Sequence, residues 1–189
     1  MKKPQMHLKD YLFDDSWTLF LDRDGVINER LIGDYVKTPD EFRFIEGVPK
    51  AIAALSEVFG QIIIVTNQQG IGKGLMTEED LRIIHDIMIN GIEEAGGRIN
   101  KIYHSPHLER DDSSLRKPNT GMALQAQKDF PEIDFHRSVM VGDGLHDMEF
   151  GRLLGMLRVF ISPDPDPSND GLFDFQFKSL TSFVDSIGQ

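Results

Sequence analysis

Short apolar runs alternate with helix-like stretches along this chain, and that alternation constrains the fold more than any other feature. The runs are Trp-Thr-Leu-Phe-Leu at 17–21, Gln-Ile-Ile-Ile-Val-Thr at 61–66 and Ile-Asn-Lys-Ile-Tyr at 99–103, then Ser-Val-Met-Val-Gly at 138–142 and Leu-Arg-Val-Phe-Ile at 157–161. They are short, β-branched and followed by Gly, Asn or Asp, as strands buried on both faces are. Four helices are predicted between and after them, over 49–59, 77–95, 120–130 and 147–154. Pro49 suits a first helical turn and Gly60 stops that helix. Thr77 followed by Glu78, Glu79 and Asp80 is a capping signal, and Leu81, Ile84, Met88 and Ile92 form one apolar stripe. Strands alternating with helices predict an α/β fold: three layers around a Rossmann-like parallel sheet. The chemistry of such sheets sits beyond the carboxyl ends of the strands.

The 189 residues suit one domain over 1–189, with no internal repeat or long linker. Residues 1–16 read as an N-terminal extension. Residues 163–189 read as a tail that packs on the core through Leu172, Phe173, Phe175 and Phe177, after an extended turn at 163–167. A net charge of −11 opposes non-specific nucleic-acid binding. The absence of cysteine excludes disulfides, thiolate zinc sites and a cysteine nucleophile. No run reaches the roughly 20 apolar residues of a membrane span, and no apolar stretch follows the first lysines. A cytoplasmic protein without membrane contact, as monomer or small homo-oligomer, is the expectation.

The polar residues after each run carry the chemistry. Asp22 and Asp24, two apart on one extended segment, share a face. Such a pair repels unless a cation sits between the carboxylates or one is protonated. A hard ion such as Mg²⁺ resolves the repulsion; an Asp-Gly turn with a solvated neighbour is the plainer reading. Thr66, Asn67, Gln68 and Gln69 offer a hydroxyl and amides to phosphoryl oxygens, or simply cap a turn. Asp143 and Asp147 follow the fourth run. Arg116 and Lys117 precede a predicted helix N-terminus, an anion site or else a solvated basic pair. The glycines at 70, 72 and 74 match neither a dinucleotide fingerprint nor a phosphate-binding P-loop.

Taken in order, an acidic pair, a threonine, a lysine and an Asp-x-x-x-Asp resemble the haloacid-dehalogenase (HAD) superfamily of phosphohydrolases. The stretches at 20–28, 66–74 and 116–122 are similar to the D,D-heptose 1,7-bisphosphate phosphatase and histidinol-phosphatase group. The resemblance implies a Mg²⁺-dependent phosphomonoesterase working through an aspartyl-phosphate. It implies catalytic roles for Asp22 (nucleophile), Asp24 (acid and base), Thr66 and Lys117. It implies substrate contacts at Asn67, Gln68, Gln69, Arg116 and Lys117. It places the metal on Asp22, Asp24 (through its backbone carbonyl) and Asp143, with Asp147 orienting the ligands or Lys117. The implied partner is a small phosphorylated metabolite, first a heptose bisphosphate and second histidinol phosphate.

The gaps between motifs leave room for at most a minimal cap. Specificity then falls to loops at 29–36 and 104–115. The group's zinc loop has three cysteines and a histidine. Here Ser105, His107, Ser113 and Leu115 stand in those places, so zinc is not expected, and the loop is expected to be held by its own hydrogen bonds. His104, His107 and Asp111 form an alternative ligand set, with solvated histidines the simpler reading. Gly144 stands where the group frequently has a lysine. A phospho-acceptor signalling module, an inactive partner-binding relative and a polynucleotide phosphatase are competing readings. Motif order disfavours the first, intact acidic residues the second and charge the third.

Overall fold

The computed structural model describes residues 7–164 and 171–188. Six strands form one wholly parallel sheet: β1 (Thr18–Leu21), β2 (Gln61–Asn67), β3 (Lys101–Ser105), β4 (Ser138–Gly142), β5 (Leu157–Ile161) and β6 (Phe175–Phe177), in the order β3-β2-β1-β4-β5-β6. The order reverses beside β1, whose last residue Leu21 pairs with Ile64 of β2 and Val141 of β4. A crevice opens at the carboxyl end of a sheet at such a reversal.

The helices are α1 (Val48–Ser56), α2 (Gln69–Gly72), α3 (Glu78–Glu94), α4 (Gly121–Asp129), α5 (Leu145–Leu154) and α6 (Leu180–Ile187). Alternate strand residues divide the core. Leu19, Leu21, Ile62, Ile64, Val139 and Val141 join the cluster that includes α1, α3 and α6. Phe20, Ile63, Val65 and Met140 join Met122, Ala123 and Ala126 of α4 and Phe150 of α5 on the other face. That division makes the three layers, and burial on both faces explains why the strands read as continuous apolar runs.

Element bounds depart from the sequence reading where local hydrogen bonds decide them. The third strand begins at Lys101, and Asn100 ahead of it ties to β2 partly through its side chain: its N–H donates to Ile62 O and its Oδ1 accepts from Ile62 N, both at 2.8 Å. The first strand begins one residue late, at Thr18. Helix α1 stops at Ser56 rather than residue 59, and α5 begins at Leu145 rather than 147, with Gly144 as its cap. Strand β6 and helix α6 escaped the reading, since three strand residues carry no periodicity. Of the expected tail contacts, Phe175 and Phe177 pack on the core and Phe173 stacks on Phe160 at 5.2 Å, while Leu172 is exposed. The turn at 163–167 falls partly outside the described residues. Ahead of β1, Tyr11, Phe13 and Trp17 pack together and reach Phe59 and Phe175.

Among the described residues, the segment from Asp22 to Thr66 holds a single helical turn (Pro39–Glu41) and α1. The segment from Thr66 to Lys117 holds α2, α3, β3 and a turn at Glu109–Asp111. Neither builds a separate layer over the strand ends. No helix among the described residues is long and apolar enough to cross a membrane.

Candidate active site

The amide of Asp22 donates to Val141 O at 2.9 Å, which carries the β1–β4 ladder one residue past the strand. The chain then turns sharply. Gly25 has φ +91°, and a Cβ there would lie 1.9 Å from Asp143 Oδ2. Only glycine lets this turn approach the carboxylate that follows β4.

Lys117 lies beneath Asp22 and is 2% exposed. Its Nζ donates to Asp22 Oδ1 at 2.8 Å and to Val65 O at 2.6 Å, and pairs with Asp147 Oδ1 at 2.6 Å. Asn67 holds the lysine's backbone from both sides: Nδ2 donates to Lys117 O and Oδ1 accepts from Lys117 N, each at 3.0 Å. Asp147 is fixed by the amide of Gly144, which donates to its Oδ2 at 3.0 Å. A Cβ at Gly142 would meet Asp147 Cβ at 2.2 Å, so β4 must end in glycine for this carboxylate to fit.

Asp24 sits in a cradle of donors. Its Oδ1 accepts from Arg23 Nη2 at 2.8 Å and Asn28 Nδ2 at 3.0 Å, and its Oδ2 accepts from Gln68 Nε2 at 2.9 Å. The same Gln68 amide donates to Thr66 Oγ1 at 2.8 Å. Gln68 is thus buried beneath the site, where it braces two expected catalytic residues instead of facing a substrate. Asn67, Gln69 and Arg116 line the cleft.

These surroundings move the carboxyls in opposite directions. Burial pushes Asp22 up; Lys117 opposes, but Asp147 and Asp143 add to the rise, leaving it at about 7. Burial likewise raises Asp143, against the pull of Arg30, to about 6. Burial acts upward on Asp24 too, but the Arg23 charge and the hydrogen bonds from Arg23, Asn28 and Gln68 outweigh it and hold the carboxyl below its usual range. Burial opposes the charge on Lys117, and Asp147 and Asp22 reverse that and raise it.

Carboxylate oxygens of Asp22, Asp143 and Asp147 lie within 4.8 Å of one another. Asp143 divides its oxygens: Oδ2 accepts from Arg30 Nη1 at 2.9 Å, while Oδ1 is buried without a hydrogen-bond partner. A buried, orphaned carboxylate oxygen among other carboxylates fits a hard divalent cation, which takes oxygen ligands. The expected metal set was Asp22, Asp24 and Asp143. The Asp24 carboxylate is consumed by its donors, which leaves that residue its backbone carbonyl, the atom expected of it. Asp147 completes the carboxylate cluster.

The cleft over these groups has a volume of about 270 Å³, and its lining includes Arg30, Tyr35, Gln69, Glu109, Arg116 and His146. The 29–36 loop is therefore where it was expected, contributing Arg30, Leu31, Asp34, Tyr35 and Val36 to the cleft wall. The 104–115 loop is held by its own polar groups. Leu108 N donates to Asp111 Oδ2 at 2.9 Å, Asn119 Nδ2 to Ser113 O at 2.9 Å and Arg116 Nη1 to His107 O at 3.3 Å. His104 turns to Glu78, with Nε2 and Oε2 2.8 Å apart, away from the alternative ligand set with His107 and Asp111.

Comparison with known proteins agrees with this geometry. Residues 18–152 match the family described as polynucleotide kinase 3 phosphatase. A D-glycero-alpha-D-manno-heptose-1,7-bisphosphate 7-phosphatase of Mycobacterium bovis is 33% identical over 174 residues, 91% of this chain and 92% of that one. The chain belongs to the HAD superfamily, in the family of the heptose-1,7-bisphosphate 7-phosphatases. A member from Vibrio cholerae, described as acting on the beta form, is 39% identical over 145 residues, 73% of this chain and 76% of its own. Among solved members, the D,D-heptose 1,7-bisphosphate phosphatase of B. bronchiseptica, complexed with magnesium and phosphate, superposes with a TM-score of 0.81 at 27% identity, covering 92% of this chain and 98% of that one. The Burkholderia thailandensis enzyme gives 0.66 at 26%, covering 92% and 99%. This HAD phosphatase thus has the parallel sheet of its family.

Proposed function

We propose that this chain hydrolyses a phosphomonoester by way of an aspartyl-phosphate on Asp22, with D-glycero-D-manno-heptose 1,7-bisphosphate as substrate and the 7-phosphate as the group removed. One observation carries the reading: Asp22, Lys117, Asp143 and Asp147, from three separate strand ends, meet at one point beneath an open cleft.

Asp22 is the only carboxylate of the acidic pair without a complete set of donors, which leaves an oxygen free to attack phosphorus in line. Lys117 steadies that carboxylate and supplies a fixed positive charge to the transferring phosphoryl oxygens, with Thr66 Oγ beside it. Asp24, when it carries a proton, gives it to the leaving oxygen and takes one back from the water that releases phosphate. Asp22, the Asp24 carbonyl and Asp143 would hold Mg²⁺, which when bound neutralises phosphoryl charge. Arg116 and Gln69 face the remainder of the substrate.

A small sugar phosphate suits the cleft better than a polynucleotide, although the matching family description names the latter. The lining carries Asp22, Asp24, Asp34, Glu109, Asp143 and Asp147 against Arg30, Arg116 and Lys117. On a chain of net charge −11 this gives no basic track for a nucleic-acid backbone. The test is a side-by-side assay with Mg²⁺ on both anomers of heptose 1,7-bisphosphate, histidinol phosphate and a 3′-phosphorylated oligonucleotide. Preference for a heptose anomer is expected. Faster release from either of the other two overturns the substrate assignment.

A further inference from the structure

Arg23 is the largest side chain that the protein buries completely. Its Nη2 binds Asp24, and its Nε has no hydrogen-bond partner. Its Nη1 faces His85 Nε2 on α3 at 3.4 Å. A guanidinium has donors only, so His85 Nε2 must accept, which puts the ring proton on Nδ1. Burial, then the charge of Arg23 and the neighbouring His104, drives His85 down to about 3, so the ring stays neutral and keeps its acceptor lone pair. Behind it stands His104, edge-on at 6.3 Å and paired with Glu78 of the same helix. A line of contacts thus runs from α3 through His85 and Arg23 to the carboxyl of Asp24.

We propose that His85 is a positioning residue, acting through Arg23 to hold Asp24 at the angle from which it protonates the leaving oxygen. The inference rests on the acid–base role given to Asp24 above. The physical argument is one of satisfaction. Arg23 is cut off from water and already leaves Nε unmatched, so losing the His85 acceptor as well would leave Asp24 as its one side-chain anchor among the described residues and free the guanidinium to turn toward another acceptor. Asp24 Oδ1 accepts from that guanidinium and from Asn28, and would be drawn off line when the guanidinium turns. Gln68 would still hold Oδ2, so Asp24 would keep its place and lose its aim.

The test compares two leaving groups. A sugar alkoxide needs a proton from the acid as the P–O bond breaks, whereas p-nitrophenolate leaves without one. His85→Leu is expected to lower kcat/KM on heptose 1,7-bisphosphate about tenfold, and on p-nitrophenyl phosphate far less, because misplacement of a catalytic group costs rate only where that group acts. His85→Gln, whose amide oxygen accepts from Arg23, is expected to restore most of the loss. A merely structural role would lower both substrates in the same proportion, and that result, or no loss on either, overturns the proposal. If His85→Leu does not fold, His85→Met carries the same comparison, being flexible and equally without an acceptor nitrogen. Should the wild type prefer another alkyl phosphate, the substrate assignment fails and the comparison is made with that ester. If it cleaves no phosphomonoester, both readings fall.

Discussion

Asp22 and Asp24 stand two residues apart on one strand end, yet the chain surrounds them in opposite ways. Around Asp22 lie two further carboxylates and one lysine, so negative charge is in excess and its carboxyl rises to about 7. Around Asp24 lie an arginine and two amides, so donors are in excess and its carboxyl falls below the ordinary range. The first environment is incomplete without a cation from outside, and the second is complete within the chain. The difference assigns the work. The undersatisfied carboxylate has an oxygen left for phosphorus or for a cation; the oversatisfied one is held in place and ionised, and it can give a leaving group only a proton it has first taken up.

The largest effect expected from breaking this asymmetry comes at Asp22 itself. Asp22→Asn should lower turnover of every phosphomonoester by at least about a thousandfold, since a nucleophile and its partners act as a unit. Asp24→Asn should retain a visible first release of p-nitrophenol in a stopped-flow trace, because that leaving group needs no acid.

The next effect concerns the shared lysine. Lys117→Met leaves Asp22 and Asp147 facing each other without their buried counter-charge. Breaking such a pair is expected to cost about 3–5 kcal/mol of stability, read by urea unfolding of the metal-free protein at pH 8. The loss should shrink at pH 6, where Asp22 can take up a proton.

A third test reads the two environments through pH. The folded pKa of Asp22 lies above its unfolded value of 3.8. Its stabilising share is therefore fully present below about pH 4 and lost as pH rises through about 7. Asp24 has the opposite sign: its share is present above its unfolded value and lost as pH falls through its lowered folded value. Mg²⁺ must displace protons from Asp22 and Asp143, whose carboxyls sit at about 7 and about 6. Thermal stabilisation by Mg²⁺ should accordingly be greater at pH 8 than at pH 5.5. Equal shifts at both values would mean that these carboxyls do not hold the metal.

The smallest effect lies on the donor side. Gln68→Leu removes one amide from Asp24 and Thr66 while Arg23 and Asn28 remain. A loss of about 1–3 kcal/mol in stability is expected from the unmatched buried oxygens, with a fall in kcat and little change in KM.

Much of this was readable in the residues. The apolar runs of β1, β2, β4 and β5 marked their strands because parallel strands buried on both faces have no polar side to interrupt them, while the edge strand β3, with Lys101 exposed, was marked by Ile102 and Tyr103 alone. The polar residues after the first, second and fourth runs line the cleft because β1 lies between β2 and β4, whereas His104 and Ser162, after the third and fifth, do not. What escaped depended on three-dimensional pairing. Gln68 reads as a free amide, and only the fold shows it turned inward between Asp24 and Thr66. Arg30 lay in a loop assigned to specificity, but its partner Asp143 is 113 positions away. Nothing in the sequence singles out Arg23, which the strand end buries completely. Strand β6 and helix α6 gain their stability from the edge of β5 and the aromatic residues around it, which no local pattern announces.

The central claim is that Asp22 is the group that takes the phosphoryl. Acid quench during steady turnover of heptose 1,7-bisphosphate with Mg²⁺, followed by peptide mass spectrometry, tests it most directly. A phosphoryl adduct is expected on the peptide containing Asp22, absent from Asp22→Asn and lost on treatment with hydroxylamine. An active enzyme whose adduct sits on another residue, or persists in Asp22→Asn, would contradict it.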